Sequence, residues 1–262
     1  MSDANPRKHS KLYRYIEDLQ GDRPWGRLLD AGTGVNSIGW VAGLATSHWT
    51  AVTGAPHFVE QVRQAAGSAL RPHDRVVLGN WADPELLKGD VYDTVLADYL
   101  LGAIEGFAPY FQSYLFKRLR PLTRTTLYVT GIEPYVPTGR PDSRAGQLVW
   151  EVGRFRDACV LLKGGMPYRE YPSPWVVDQL KRAGFAVTTI KHFTSQYKDV
   201  FINAQVDIAL HGLEALPDQA LVKALQGRGD ALRAEAREII KAEGAIRTCK
   251  NYVVAAGPIT SG

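Results

Sequence analysis

Asp30, Gly32 and Gly34 fall in the stretch Arg27 to Trp40, RLLDAGTGVNSIGW, where a short apolar run ends in an acid and a glycine turn before a helix opens. Two glycines in a tight turn after a strand let the backbone approach a ligand with no Cβ in the way, and the following helix offers unpaired N–H groups. Asp30 adds a fixed acceptor at the strand end. The chemistry is that of a nucleotide-binding loop. Asn36 and Ser37 follow Val35 where the dinucleotide fingerprint would place its third glycine, and Thr53 ends the next strand where an acid for a ribose hydroxyl would stand. Both departures count against a nicotinamide dinucleotide.

Short apolar runs alternate with helical patterns, which implies βαβ units and a mostly parallel sheet. Strands are expected at 27–31, 49–53, 75–78, 92–97 and 125–132, with helices at 37–45, 56–66 and 108–119, the last stopped by Pro121. After Pro134 a Pro/Gly-rich stretch leads into a helix with Leu148, Val152, Phe155, Cys159 and Leu162 on one apolar face. A helix over 173–183, capped by Ser173 with Pro174 in its first turn, precedes a strand at 185–190. About sixty residues of helical character then separate that strand from a final one at 251–256, too many for a plain hairpin. The expected fold is α/β and Rossmann-like: a mostly parallel sheet with helices on both faces and helical insertions before the sixth and last strands. The chain is read as one domain, 1–262, with an N-terminal helical segment at 1–24 and insertions at 134–172 and 195–246.

A chain of 262 residues, 45% hydrophobic and 22% charged, can build one large core. Its start lacks an apolar h-region and no apolar run approaches membrane-spanning length, so a cytoplasmic location is expected. Cys159 and Cys249 have no metal-ligand spacing and read as reduced thiols; no metal site is expected. The net charge of +4 raises nucleic acid as a partner. Acids are interleaved with the bases almost everywhere, however, and the densest basic cluster, Lys117, Arg118 and Arg120, reads as a solvated helix end. Neither nucleic acid nor membrane is expected as a partner, and the stripe Leu232, Ala236, Ile239 and Ile240 leaves the last insertion to pack on the body, as a lid or in a homodimer.

The D-x-G-x-G loop resembles the first motif of class I S-adenosylmethionine-dependent methyltransferases, in which the acid faces the amino group of the methionine part and the glycines pass under the cofactor. YDTVLADYLL resembles the fourth motif of that family, a strand with an acid at its C-terminal end. The resemblance implies cofactor contacts from Asp30, Gly32, Gly34, Thr53 and Asp98, with Thr53 able to give one neutral hydrogen bond where the family uses an acid. In LGNWADPELL it implies that Asn80 reads the adenine edge and Trp81 covers the ring; the same two residues would equally serve as a helix cap and a core side chain. Asp98 and Tyr99 would line the reaction site, Asp98 as proton acceptor and Tyr99 orienting substrate. N-terminal segments often close over the cofactor in this family, which points to Tyr13 or Tyr15. Tyr135, Trp150, Arg154, Arg156, Tyr168, Arg169 and Tyr171 would suit a small acceptor bearing a carboxylate or cationic centre, or else form a helix core with paired arginines. The implied activity is methyl transfer to a nitrogen, oxygen or sulfur of a small molecule; an RNA or protein methyltransferase and a non-catalytic S-adenosylmethionine-binding protein are the alternatives.

Overall fold

Alternation along the strands decides both faces of the sheet. Leu28, Trp49, Ala51, Leu96, Tyr128, Val253 and Ala255 point to one side and Leu29, Val52, Val95, Ala97, Leu127, Val129 and Val254 to the other, each set fully or almost fully buried. In the computed structural model, which describes residues 10–136 and 139–259, these belong to β1 (Arg27–Asp30), β2 (His48–Thr53), β3 (Arg75–Leu78), β4 (Tyr92–Asp98), β5 (Thr123–Ile132), β6 (Phe185–Tyr197) and β7 (Ile246–Pro258). The sheet order is β3-β2-β1-β4-β5-β7-β6, parallel throughout except for β7, which runs against both neighbours. On the first face pack α1 (Lys11–Gln20), α2 (Val35–Val41) and α3 (Pro56–Ala66); on the second pack α4 (Leu100–Ala103), α5 (Gln112–Leu119) and α7 (Ser173–Arg182). The expected Rossmann-like sheet with helices on both faces is what the chain forms.

Four local expectations need correction. The helix expected from Ala108 begins at Gln112, because Tyr110 holds a positive φ of 68° that no helix accommodates. Pro172, not Ser173, caps α7; the Ser173 N–H instead points at the Glu133 carboxylate, 3.3 Å away. Arg118 and Arg120 are not merely solvated. Arg118 donates to the carbonyls of Trp81, Asp83 and Leu86, and Arg120 to those of Gly184 and Ile259, so both guanidiniums staple loops to the body. Finally, β6 and β7 run past their expected ends as a two-stranded ribbon from Phe185↔Pro258 to Tyr197↔Ile246, since each strand supplies the other's hydrogen bonds beyond the sheet.

That ribbon carries a third core. α6 (Arg144–Leu162), α8 (Asp199–Leu210) and α9 (Gln219–Glu243) bury Leu148, Val152, Cys159, Ile202, Val206 and Leu232 against Ile132 and Ile246. The second insertion thus begins only after Tyr197. Of the expected N-terminal segment, residues 1–9 lie outside the described residues. No helix among the described residues is long and apolar enough to cross a membrane.

Because this third core is separate from the two that sandwich the sheet, damage to it should stay local. Ile202→Ala is expected to cost about 2–4 kcal/mol in urea unfolding while leaving ligand affinity at the β1–β4 strand ends within twofold.

Candidate functional site

The C-terminal ends of β1, β2, β3 and β4 meet at one edge, as parallel register requires: Asp30 pairs with Ala51 and Leu96, and Thr53 with Leu78. Between them lies a cleft lined mainly by Ala31, Gly32, Val52, Leu100, Ile104 and Phe107. Gly32 is there for a neighbour's sake. A Cβ at 32 would stand 2.8 Å from Leu100 Cδ1, whereas one at Gly34 would meet nothing within 4 Å. Thr53 is buried at the cleft wall, its hydroxyl accepting from the Ala55 N–H at 3.3 Å and keeping its own proton to donate.

Asn80 and Trp81 both line this cleft, and both already have work in it. The Trp81 indole N–H donates to the Ala31 carbonyl at 2.6 Å, and its ring is packed in the core beneath the Arg118 guanidinium. Asn80 accepts from the Ala82 N–H and donates across the cleft mouth to the Phe107 carbonyl at 2.7 Å. Phe107 itself lies where a Cβ on Gly54 would be, 2.8 Å away, so a side chain at residue 54 would push this gate outward.

Asp30 is fully buried, and neither carboxylate oxygen has a hydrogen-bond partner among the described residues. Burial pushes its carboxyl up to about 7; the nearby Ser37 and Thr33 hydroxyls pull the other way without reaching bonding geometry. The Thr33 and Ser37 hydroxyls are turned to each other, and that of Ser37 also accepts from the Gly34 N–H and donates to the Gly34 carbonyl. Asp98, one strand over, is also pushed up by burial, opposed by hydrogen bonds from Thr130 Oγ1 at 2.6 Å and Tyr13 Oη at 2.7 Å. Both of its oxygens are therefore engaged.

Tyr13 comes from α1, where the Ser10 side chain accepts from the Tyr13 N–H as the cap. Its ring stacks on Trp40 at 4.5 Å and 3°, and Trp40 in turn donates to Glu17, so one turn of α1 is locked over α2. Tyr15 points elsewhere, to Lys191 and Phe193 on β6. Tyr99 follows Asp98 with a left-handed φ of 48°, an uncommon conformation for a bulky side chain, held by its N–H on Thr130. The turn sends its hydroxyl to Asn251 at 2.9 Å. Ser10, Tyr13, Asn36, Asp98, Tyr99 and Asn251 line a second hollow of about 530 Å³ beside the cleft. Thr130, Asn251 and Phe107 were invisible as site residues in the sequence, because each reaches the edge from a distant strand or an irregular turn.

No protein-family model matches this sequence, and no curated protein sequence matches it. Solved structures do. A SAM-dependent methyltransferase from Geobacter sulfurreducens in complex with S-adenosyl-L-homocysteine superposes with a TM-score of 0.54 at 15% identity, covering 94% of this chain and 90% of that one. The chain has the fold of the class I S-adenosylmethionine-dependent methyltransferases. Coclaurine N-methyltransferase bound to N-methylheliamine and S-adenosylhomocysteine is similar at a TM-score of 0.52 and 16% identity, covering 94% of this chain and 71% of that one. So is the [4+2]-cyclase SpnF, at 0.53 and 14%, covering 94% and 82%. This methyltransferase fold therefore serves more than one chemistry, and the residues at the strand ends must carry the rest of the argument.

They fit the donor that the fold suggests. A sulfonium and an α-ammonium are both cationic, and this edge presents one buried and one half-buried carboxylate with no cation of the chain paired to either among the described residues. The adjoining cleft is apolar enough for a purine and bears Asn80 and Thr53 at its rim. Ligand-free, the Asp30 charge is a cost. Its folded-state pKa lies above the unfolded 3.8, so stability is lost as pH rises between about 4 and about 7. Asp30→Asn should therefore stabilise the ligand-free protein, on the order of 2 kcal/mol at pH 8, with the advantage vanishing near pH 4; urea unfolding at the two pH values measures it.

Proposed function

We propose that the chain is an enzyme that transfers the methyl group of S-adenosylmethionine to a small-molecule acceptor. The observation that carries this reading is the unpartnered Asp30 carboxylate, fully buried at the end of β1 beside an apolar cleft and one strand from Asp98. When bound, S-adenosylmethionine supplies an electrophilic methyl on a positively charged sulfur.

Asp30 holds the α-ammonium, and its ionised form is favoured by that partner. Gly32 and Gly34 form the floor of the loop. Thr53 donates to a ribose hydroxyl, Asn80 turns from Phe107 to the purine edge, and Trp81 fixes the Ala31 carbonyl behind it. Asp98 keeps negative potential near the sulfonium and, through Tyr13, draws α1 over the methionine end, which excludes water. With both oxygens occupied, Asp98 is a positioning group rather than the proton acceptor. Tyr99, at the corner between cleft and hollow, orients the acceptor. In-line displacement then needs mainly alignment in a dry site.

The small-molecule assignment draws support from coclaurine N-methyltransferase among the structures of this fold and from the cavities of about 510 and 530 Å³ that Tyr168 and Tyr99 help to wall. Calorimetric titration should show binding of both S-adenosylmethionine and S-adenosylhomocysteine, at least tenfold weakened by Asp30→Asn. No binding of either to the wild type would refute the reading. Labelled methyl should pass into the small-molecule fraction of a cell extract; label in RNA or protein, or none at all, would replace this assignment with another use of the same fold.

A further inference from the structure

Residues 167–172 run as a strap from α6 to α7 across the short helix α4. The crossing is close because residue 102 is glycine: a Cβ there would stand 3.0 Å from Glu170 Oε2 and 3.3 Å from the Arg169 carbonyl. The Arg169 N–H donates to the Gly102 carbonyl at 3.2 Å, which pins the strap one turn beyond Tyr99. Tyr168 forms part of the wall of the nucleotide cleft and also of a separate cavity of about 510 Å³, lined besides by Tyr135, Tyr171 and Glu170. One side chain thus divides the two spaces.

Two arginines and two acids line this cavity, and both arginines are already engaged. Arg156 is spent on Asp157, on the Tyr135 hydroxyl and on Gln205, and Arg169 lies 3.5 Å from Glu105. Glu170 has no hydrogen bond or ion pair among the described residues. Burial pushes its carboxyl up to about 7, with Arg156 on α6 pulling down and Asp157 adding to the rise. Its Oε2 lies against the bare Cα of Gly102, three residues past Tyr99, which sets the carboxylate on the α4 side of the cavity. A carboxylate without a partner, set among three tyrosine rings, is complementary to an organic cation.

Building on the methyl-transfer reading, we propose that this cavity receives an amine as its ammonium ion and that Glu170 takes the proton the amine must shed. The N–H bond breaks and the proton passes to the Glu170 carboxylate, leaving a nitrogen lone pair. That pair attacks the methyl carbon, the C–N bond forms, and the C–S bond breaks with its electrons left on sulfur. The product leaves as a methylammonium, and Glu170 returns its proton to water. The acidity gap favours amines: an alkylammonium near 10 is far closer to a carboxyl raised to about 7 than an alcohol, which is a much weaker acid.

The test uses the full chain saturated with S-adenosylhomocysteine, with phenethylamine as probe and 2-phenylethanol as its uncharged counterpart. At pH 8, Glu170→Gln should bind phenethylamine at least tenfold more weakly than wild type, while 2-phenylethanol affinity changes less than twofold. In the wild type, phenethylamine affinity should fall about tenfold from pH 8 to pH 6 as Glu170 takes up its proton. Equal amine affinity in the variant, a flat wild-type pH profile, or no amine binding by the loaded protein overturns the proposal. Unimpaired S-adenosylhomocysteine binding in Glu170→Gln shows that the variant is folded. If the wild type fails to bind S-adenosylhomocysteine at all, the methyl-transfer reading falls first and takes this inference with it.

Discussion

Asp30 and Asp98 end neighbouring parallel strands, and among the described residues no cation of the chain is paired to either. Register leaves no alternative: Leu96 lies beside Asp30, so the β4 strand reaches its last residue just past the loop that β1 opens. Two desolvated acids at one edge are a standing cost to the fold. The chain answers it in part. Thr130 and Tyr13 satisfy Asp98, and Tyr13 can do so only because α1 is capped by Ser10, stacked through Tyr13 on Trp40, and tied through Gln20 to Tyr128 on β5. Asp30 has only the nearby Ser37 and Thr33 hydroxyls pulling against the rise, and neither of its oxygens has a hydrogen-bond partner among the described residues.

The sheet and the insertions divide the work around that edge. Strand ends and α1 shape the edge that presents Asp30 and Asp98, while α6 and the strap before α7 shape the neighbouring cavity from a different core. The join between them is narrow: the bare Cα of Gly102, the Arg169 amide and the Tyr168 ring. Such an arrangement lets this cavity change without disturbing the sheet, since α6 packs on α8 and α9 more than on the strands. It also explains why Arg156 is so heavily tied down. A guanidinium left loose beside Glu170 would pair with the one carboxylate of the cavity that has no partner among the described residues.

Much of this was legible in the sequence, and what was not had physical causes. Strand β3 at 75–78 and helix α3 at 56–66 stand where periodicity places them, and the acid-glycine turn announces the edge. Side-chain partnership does not show in a sequence. Tyr13 lies 85 residues from the carboxylate it bonds and Thr130 lies 32, and only strand order brings them together. Gly32 reads as clearance for a ligand, yet the nearest atoms it makes room for belong to Leu100. Glu170 sits in an irregular strap flanked by Arg169 and Tyr171, where nothing in the composition separates a solvated acid from a half-buried one.

Thr53 completes the electrostatic account. At the end of β2 it stands one strand from Asp30, where a carboxylate would give a third negative charge at the same edge. A neutral hydroxyl avoids that repulsion but can offer a ribose a bond only about half as strong as a charge-assisted one. Binding strength must then come from elsewhere in the pocket. The only unsatisfied charge within reach on the donor side, among the described residues, is Asp30. On the methyl-transfer reading proposed above, affinity in this pocket is therefore concentrated on one titratable group, which ties donor binding to the ionisation of Asp30 more tightly than a ribose-binding acid at residue 53 would.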